Sequence, residues 1–422
     1  MNPLILAATI AFRGATVIDG TGAPAKPNML VVVTDGRITL VTPLTPENLA
    51  RIPAGAEEIN AEGQWMLPGL IDGHVHAESD DDLKQMLRWG VTSVRLMAED
   101  AAKAVDAAKA SRSRPDIPDL FPAAPIFTVK GGWWDKGEPA DGNVDRVPPG
   151  PDEARAAVRK AAALGVSEIK LMLDDMGWCR DPLPRLPRMD PAVAAALLSE
   201  AAKAKLRASV HAPRLADAQE AIQGGATALA HGVIEPLDKP TIQKMREKAV
   251  FYIPTMGVFE FLADTRAFVN GVLADPGVAA SLPRQTLARY NASAYAREYR
   301  AKYPNAEGVR RALPALRENL RNLHAAGVPI ALGTDMWAFP GAGVSVELDL
   351  YVRSGLKPLD AIRAATETAA RSMGTDGDRG TIAPGKRADL LLLSLDPLSD
   401  IRNVRAIRGV YKAGRRVWPA SQ

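Results

Sequence analysis

Between residues 67 and 379, short apolar runs alternate with amphipathic stretches of helical period, and this alternation constrains the fold more than any other feature of the chain. Eight candidate strands centre on residues 71–74, 91–96, 120–124, 168–172, 208–211, 228–231, 251–254 and 330–334. The intervening stretches, such as 151–164 and 191–205, carry apolar residues on one helical face. Parallel strands joined by crossover helices are expected to close into a (β/α)8 TIM barrel, whose active site gathers at the C-terminal strand ends. The segment 257–326, after the seventh strand, is too long for one helix and is expected to form a helical insertion over the barrel mouth.

The flanks read differently. Residues 9–65 hold β-rich runs such as Met29-Leu30-Val31-Val32-Val33, broken by turn residues such as Thr34-Asp35-Gly36. The same texture returns in 388–393 and 408–417. The expected organisation is a small β-sandwich domain built from 1–66 plus 380–422, with the barrel over 67–379.

Composition removes several function classes. The formal charge is only +3, from 52 Lys and Arg against 49 Asp and Glu spread through the chain, so no nucleic-acid partner is expected. No apolar run approaches the roughly 18 residues of a membrane-spanning helix, so no membrane partner is expected either. The one cysteine, Cys179, excludes an internal disulfide and any thiolate zinc site, which leaves histidine and oxygen donors for metal. The opening Met1 to Ala8 is apolar without a basic lead, so the expected location is cytoplasmic, or secreted or periplasmic if an export signal has been trimmed. There is no phosphate-cradling Gly-x-x-x-x-Gly-Lys, no Gly-x-Ser-x-Gly elbow and no His-Glu-x-x-His helix.

Four of the five histidines fall at expected strand ends: His74 and His76 in Pro68-Gly69-Leu70-Ile71-Asp72-Gly73-His74-Val75-His76, then His211 and His231. Neutral imidazole offers a lone pair near pH 7. The i, i+2 spacing of His74 and His76 puts both on one face of an extended strand, where they can bind one ion. Alone, such a pair is equally consistent with buried histidines bonding backbone groups. Lys170 and Asp335 also end expected strands, the fourth and eighth. The fifth histidine, His324, falls on a helix before the eighth strand and is read as a surface or packing residue. Cys179, on the loop after the fourth strand, is read as packing.

On these residues, together with Gly380-Thr381-Ile382-Ala383-Pro384-Gly385-Lys386-Arg387-Ala388-Asp389-Leu390 near the end, the chain resembles the amidohydrolase superfamily and, within it, the imidazolonepropionase-like branch. The resemblance covers nearly the whole chain and implies a binuclear metal site. His74 and His76 would bind one divalent ion, His211 and His231 the second, Lys170 would bridge both after carboxylation by CO2, and Asp335 would bind the first ion and carry protons. Zinc is the expected metal, with manganese, cobalt or iron compatible. The chemistry of lysine agrees, because an ammonium has no lone pair and only neutralisation or carboxylation lets it serve a metal. Read without the resemblance, Lys170 is as well a strand-end lysine reaching solvent, and the site is then mononuclear. Mononuclear deaminases of the superfamily carry a glutamate soon after the fifth-strand histidine, whereas His211 is followed by Ala212-Pro213-Arg214-Leu215.

Barrel loops set specificity, which makes Trp133, Trp134, Asp135, Trp178, Arg180, Tyr252, Met256 and Trp337 the candidate substrate residues. Four of the seven tryptophans belong to this group, implying an apolar, partly aromatic surface. Arg180 could pair with a substrate carboxylate, or equally with Asp174 or Asp181. The resemblance implies attack of a metal-bridging hydroxide on an amide-type C–N bond in a small molecule such as an N-acyl amino acid, dipeptide or cyclic amide. The same site could serve a lactonase, carboxylesterase or organophosphate triesterase, and a metal-binding scaffold without turnover is the non-enzymatic alternative. A homo-oligomer is what the resemblance implies; the residues are silent on it.

Overall fold

The computed structural model describes residues 9–77, 79–135 and 144–419, so Met1 to Ala8 lie outside the described residues. Seven parallel strands follow one another in chain order: Leu70–Val75, Val91–Met97, Asp119–Phe127, Glu168–Met172, Arg207–His211, Ala228–Ala230 and Phe251–Ile253. The eighth position, expected over 330–334, is nearly bare of regular pairing, with one isolated bridge between Tyr252 and Ile330. Its backbone nevertheless bonds in both directions. Ala331 N donates to Tyr252 O at 3.0 Å, and Gly73 N donates to Leu332 O at 2.9 Å, which closes the (β/α)8 barrel. Closure this tight needs two glycines. A Cβ on Gly73 would lie 2.6 Å from the Leu332 carbonyl oxygen, and one on Gly333 would lie 2.8 Å from the His74 Cβ.

Side chains alternate between the barrel interior and the helix layer. On the fourth strand Ile169 and Leu171 join the large apolar cluster beneath the helices, whereas Met172 packs with Met97, Ala123 and Ile126. Below the mouth, the buried Arg95 Nε stands 3.1 Å from Glu168 Oε2. Arg95 also donates to Gly73 O at 3.2 Å and to Ser372 O at 2.6 Å, while Ser209 Oγ donates to Glu168. Each charge is therefore paired and further hydrogen-bonded, the condition under which ions are tolerated in a core.

Local signals position the crossover helices. Pro151–Leu164 begins with proline in its first turn beside Asp152 and Glu153, and stops at Gly165, whose φ of 91° suits glycine. Pro191–Lys203 is capped by Asp190, which accepts from Ala192 N at 2.7 Å. After the seventh strand, the helices Met256–Ala263, Thr265–Leu273, Pro276–Ser281, Arg284–Asn291 and Ser293–Lys302 precede the long return helix Ala306–Ala325. They build a separate apolar cluster around Phe259, Phe261, Tyr290 and Tyr295, which also takes in Met176, Phe339 and Cys179 from the barrel loops. The insertion is thus fastened to the mouth of the barrel.

The two ends of the chain share an eight-stranded sheet. Trp65–Pro68, from the first part, pairs antiparallel with Leu390–Leu393, from the last. Lys412 Nζ, 2.8 Å from Asp119 Oδ1, and Arg379 Nη1, 3.0 Å from Asp119 Oδ2, anchor the C-terminal part to the third barrel strand away from the mouth.

Candidate metal centre and substrate cavity

The barrel mouth brings all six expected ligands into one neighbourhood, five at or just beyond the C-terminal strand ends and Lys170 from the middle of Glu168–Met172. His76 Nε2 lies 3.6 Å from Asp335 Oδ1, His74 Nε2 lies 3.9 Å from the same oxygen, and His231 Nδ1 lies 3.9 Å from Asp335 Oδ2. Ring centroids of His74 and His231 are 4.7 Å apart, and those of His211 and His231 are 4.5 Å apart. Three of these residues, His74, His76 and Asp335, offer ligand atoms all within 4.8 Å of one another. Lys170 is buried beside them, close enough for its charge to act on His74, His211, His231 and Asp335.

Backbone geometry at these ends is unusual. His231 and Asp335 hold φ of 75° and 50°, and Thr255, after the seventh strand, holds 44°. Left-handed backbone at a non-glycine residue costs about 1–3 kcal/mol, so the surrounding fold must over-determine these positions. Asp72 is one such determinant. Its carboxylate accepts from Thr334 N at 2.9 Å, Thr334 Oγ1 at 2.6 Å and His74 N at 3.1 Å, tying the first strand to the eighth beside Asp335. Glu347 acts likewise after the seventh strand, accepting from Met256 N at 2.7 Å and Gly257 N at 2.8 Å.

Electrostatics favours neutral ligands. Burial, followed by the charge of Lys170 and the other histidines, pushes His74 well below the ordinary imidazole value; burial and His211 do the same for His231. Burial also lowers His211, although Asp174 opposes it. For Lys170 and Asp335, burial drives the amine down and the carboxyl up.

The donor set fits divalent metal. Buried polar atoms are normally hydrogen-bonded, yet His74 Nδ1 and Nε2, His211 Nδ1 and Lys170 Nζ have no partner among the described residues. His211 Nε2 donates to Asp174 Oδ2 at 3.2 Å, and His231 Nδ1 stands 2.9 Å from Thr255 Oγ1. Each of these two histidines therefore has one nitrogen held by an outer partner and the other open, which is how metal-binding imidazoles are oriented.

Above the ligands opens a cavity of about 570 Å³, within the range of small-molecule sites. Trp133, Trp134, Asp135, Trp178, Arg180 and Trp337 line it, as expected from the loops. Trp134 stacks on His76 with centroids 4.6 Å apart. Tyr252 and Met256, two of the expected substrate residues, do not line it. Strand alternation is the reason: Ile253 faces the barrel interior, so Tyr252 faces the helices, where its hydroxyl accepts from Val233 N at 3.0 Å. Met256 is buried in the same layer, with its sulfur 3.9 Å from Ser354 Oγ. Cys179 is fully buried behind the wall, and His324 lies at the surface 3.4 Å from Asp360.

Several contributors were not singled out from the sequence. Asp174 also accepts from Trp178 Nε1 at 2.6 Å, linking His211 to the cavity wall. Tyr299, Lys302, Tyr303, Val258, Phe259 and Leu262 reach the cavity from the insertion. The i+4 spacing of Tyr295, Tyr299 and Tyr303 was the available signal for the tyrosines.

Comparisons with known proteins identify the fold and the family. An Aspergillus niger protein named ochratoxinase is 27% identical over 98% of this chain and 88% of its own. The crystal structure of a Xaa-Pro dipeptidase with bound methionine superposes with a TM-score of 0.74 at 22% identity, covering 97% of this chain and 99% of that one. That of a molinate hydrolase gives 0.71 at 21% identity, covering 99% and 97%. The family model described as "Amidohydrolase family" matches residues 65–417, and the chain belongs to that family of hydrolases.

Proposed function

We propose that the protein is a binuclear metal-dependent hydrolase that cleaves an amide-type C–N bond in a small substrate with an apolar or aromatic group. The observation that carries this reading is the convergence of His74, His76, His211 and His231 with Asp335 and the buried Lys170 at one barrel mouth. Burial there favours the neutral form of His74, His211 and His231, and His74 Nδ1 and Nε2, His211 Nδ1 and Lys170 Nζ have no hydrogen-bond partner among the described residues. His74, His76 and Asp335 would hold one ion and His211 and His231 the other. Lys170, whose burial favours the free amine, would react with CO2, losing a proton to become a carbamate that binds both. Zinc suits a site of imidazole and carboxylate donors. Divalent ions bound there supply Lewis acidity towards the substrate carbonyl and lower the pKa of water towards neutrality.

The chain's own residues do the rest. Asp335 takes a proton from the attacking water and returns it to the leaving nitrogen, so that amide and water become carboxylic acid and amine. Asp174 and Thr255 hold His211 and His231 in the ligating orientation. The tryptophan walls exclude water and hold the apolar part of the substrate. The names of the relatives, ochratoxinase, Xaa-Pro dipeptidase and molinate hydrolase, support hydrolysis of this kind.

The test is a screen of N-acyl amino acids, dipeptides, lactones and aryl esters, using chelated protein and protein reconstituted with zinc. Metal-dependent amide turnover is expected. A lactone or ester optimum with negligible amide turnover, or amide turnover that survives metal removal, would overturn the proposal.

A further inference from the structure

Two cations reach the cavity wall with no ion pair among the described residues. Arg180 ends the short helix Gly177–Arg180 after the fourth strand, and Lys302 ends the insertion helix Ser293–Lys302. Both line the cavity above the metal ligands. Arg180 Nε is buried without a hydrogen-bond partner, and its guanidinium makes no ion pair among the described residues. Neither acid that the sequence offered to Arg180 takes it. Asp174 is occupied by His211 and Trp178, and Asp181 forms no ion pair with it.

Lys302 is an exposed residue rather than a buried one. Its ammonium stands 5.2 Å from the Trp133 ring centroid and 5.4 Å from that of Tyr303, and it too has no ion pair among the described residues. The nearby Glu298 sits 3.6 Å from Arg289. Partial burial of the amine pushes Lys302 down; the attraction of Glu298 opposes it and the smaller repulsion of Arg180 adds to it, which places the two cations within electrostatic reach of each other. The juxtaposition is fixed by backbone bonds. Asn305 N donates to Cys179 O at 3.1 Å, and Asn305 Nδ2 donates to Trp178 O at 2.8 Å, so the insertion grips the turn that carries Arg180. Like charges held together in a partly desolvated cavity repel each other and raise the local positive potential, which an incoming anion relieves.

We infer that Arg180 and Lys302 form a carboxylate-recognition subsite, and that the physiological substrate is an amide bearing a free carboxylate beside its aromatic or apolar group. The inference rests on the amide-hydrolase reading and narrows it: anionic N-acyl amino acids and dipeptides are selected, and neutral cyclic amides and lactones are not. Arg180 supplies the planar fork that matches a carboxylate, and Lys302, the more exposed cation, supplies a point charge that steers the anion inward.

The test compares N-benzoyl-L-phenylalanine with its carboxamide, which share one benzoyl amide and differ by the charge. With zinc-reconstituted protein, kcat/KM should favour the carboxylate by about 10- to 100-fold, falling as salt is raised. Arg180→Gln should reduce that ratio by about 10-fold, mainly through KM, and Lys302→Gln by about 3-fold. Arg185→Gln is the control, since Arg185 is exposed on the same loop and pairs with Asp175 at 3.1 Å; it should leave the ratio unchanged. A wild-type ratio near one, or a ratio unmoved in both Arg180→Gln and Lys302→Gln, would overturn the inference while leaving amide hydrolysis intact. If neither compound is hydrolysed, the amide reading fails, and quenching of the tryptophan-lined cavity decides this one: tighter binding of the carboxylate that is lost in Arg180→Gln supports it, and equal binding of both compounds overturns it.

Discussion

Asp174→Asn should weaken metal binding without unfolding the protein. The Asp174 side chain is fully buried, and one oxygen, Oδ2, accepts from both His211 Nε2 at 3.2 Å and Trp178 Nε1 at 2.6 Å. Burial pushes its carboxyl up, but the bonds from His211 and Trp178 and the attraction of His211 outweigh burial and hold it below the ordinary value. It is therefore a carboxylate standing behind a histidine whose other nitrogen is open. Such a partner makes the imidazole a stronger donor, and removing it costs about 10–100-fold in metal affinity, or about 1.4–2.8 kcal/mol. At 3.2 Å the bond is longer than a typical charge-assisted contact, which places the expected loss at about 10–30-fold. Asparagine can keep an acceptor oxygen in the place of Oδ2 for both donors, with its amide where the unpartnered Oδ1 stood, but it loses the charge that strengthens the His211 bond. Competition with a chromophoric chelator measures the zinc affinity, with Trp178→Phe as a control expected within about 3-fold of wild type because it spares the His211 bond. Since His211 is assigned to one ion, only one of two zinc equivalents should loosen. A folded Asp174→Asn protein with unchanged affinity for both would refute the orienting role.

Other perturbations follow the same reasoning. Asp335→Asn should lower kcat by about 10²–10⁴-fold on the best amide substrate, as measured by steady-state kinetics with metal content determined in parallel. Gly73→Ala should destabilise by about 1–3 kcal/mol, read as a lowered denaturation midpoint, because the added Cβ meets the Leu332 carbonyl oxygen at 2.6 Å where the barrel closes. Burial pushes Glu347 up to about 8, against bonds from Gly257 and Met256 that pull it down. The native state then keeps a proton that the unfolded chain releases above about 4.5, so the contribution of this group is full below that value, declines with rising pH and is lost above about 8. Glu347→Gln should flatten this part of the stability profile, which melting temperatures at pH 5 to 9 would reveal.

The barrel was legible because its signals are local. The apolar run at 168–172 matches the observed fourth strand, since bounded apolar runs between amphipathic helices have few other uses. The candidate ligands were brought out by residue type and by their place on or just after the barrel strands; Lys170 sits in the middle of its strand Glu168–Met172 rather than at its end. What escaped depends on long-range or stereochemical detail. Tyr252 and Ile253 are neighbours in sequence, and only the strand's orientation determines that the isoleucine faces inward. Thr255 meets His231, and Asp72 meets Thr334, across chain separations of 24 and 262 residues, where no spacing rule operates. The left-handed turns at His231 and Asp335 leave no compositional mark, because glycine, the usual signal for positive φ, is absent from both positions. Lys302 reads in sequence as one more charge on a solvated helix; its neighbours on the turn at 177–180 exist only once the insertion folds over the barrel.

The central claim is a two-metal site completed by Lys170, and metal content tests it most directly. Protein reconstituted with zinc in the presence of bicarbonate should hold about two ions per chain, and Lys170→Met about one or fewer, with the fold verified by circular dichroism. About one ion per chain in the bicarbonate-treated wild type, or two retained by Lys170→Met, would contradict the account.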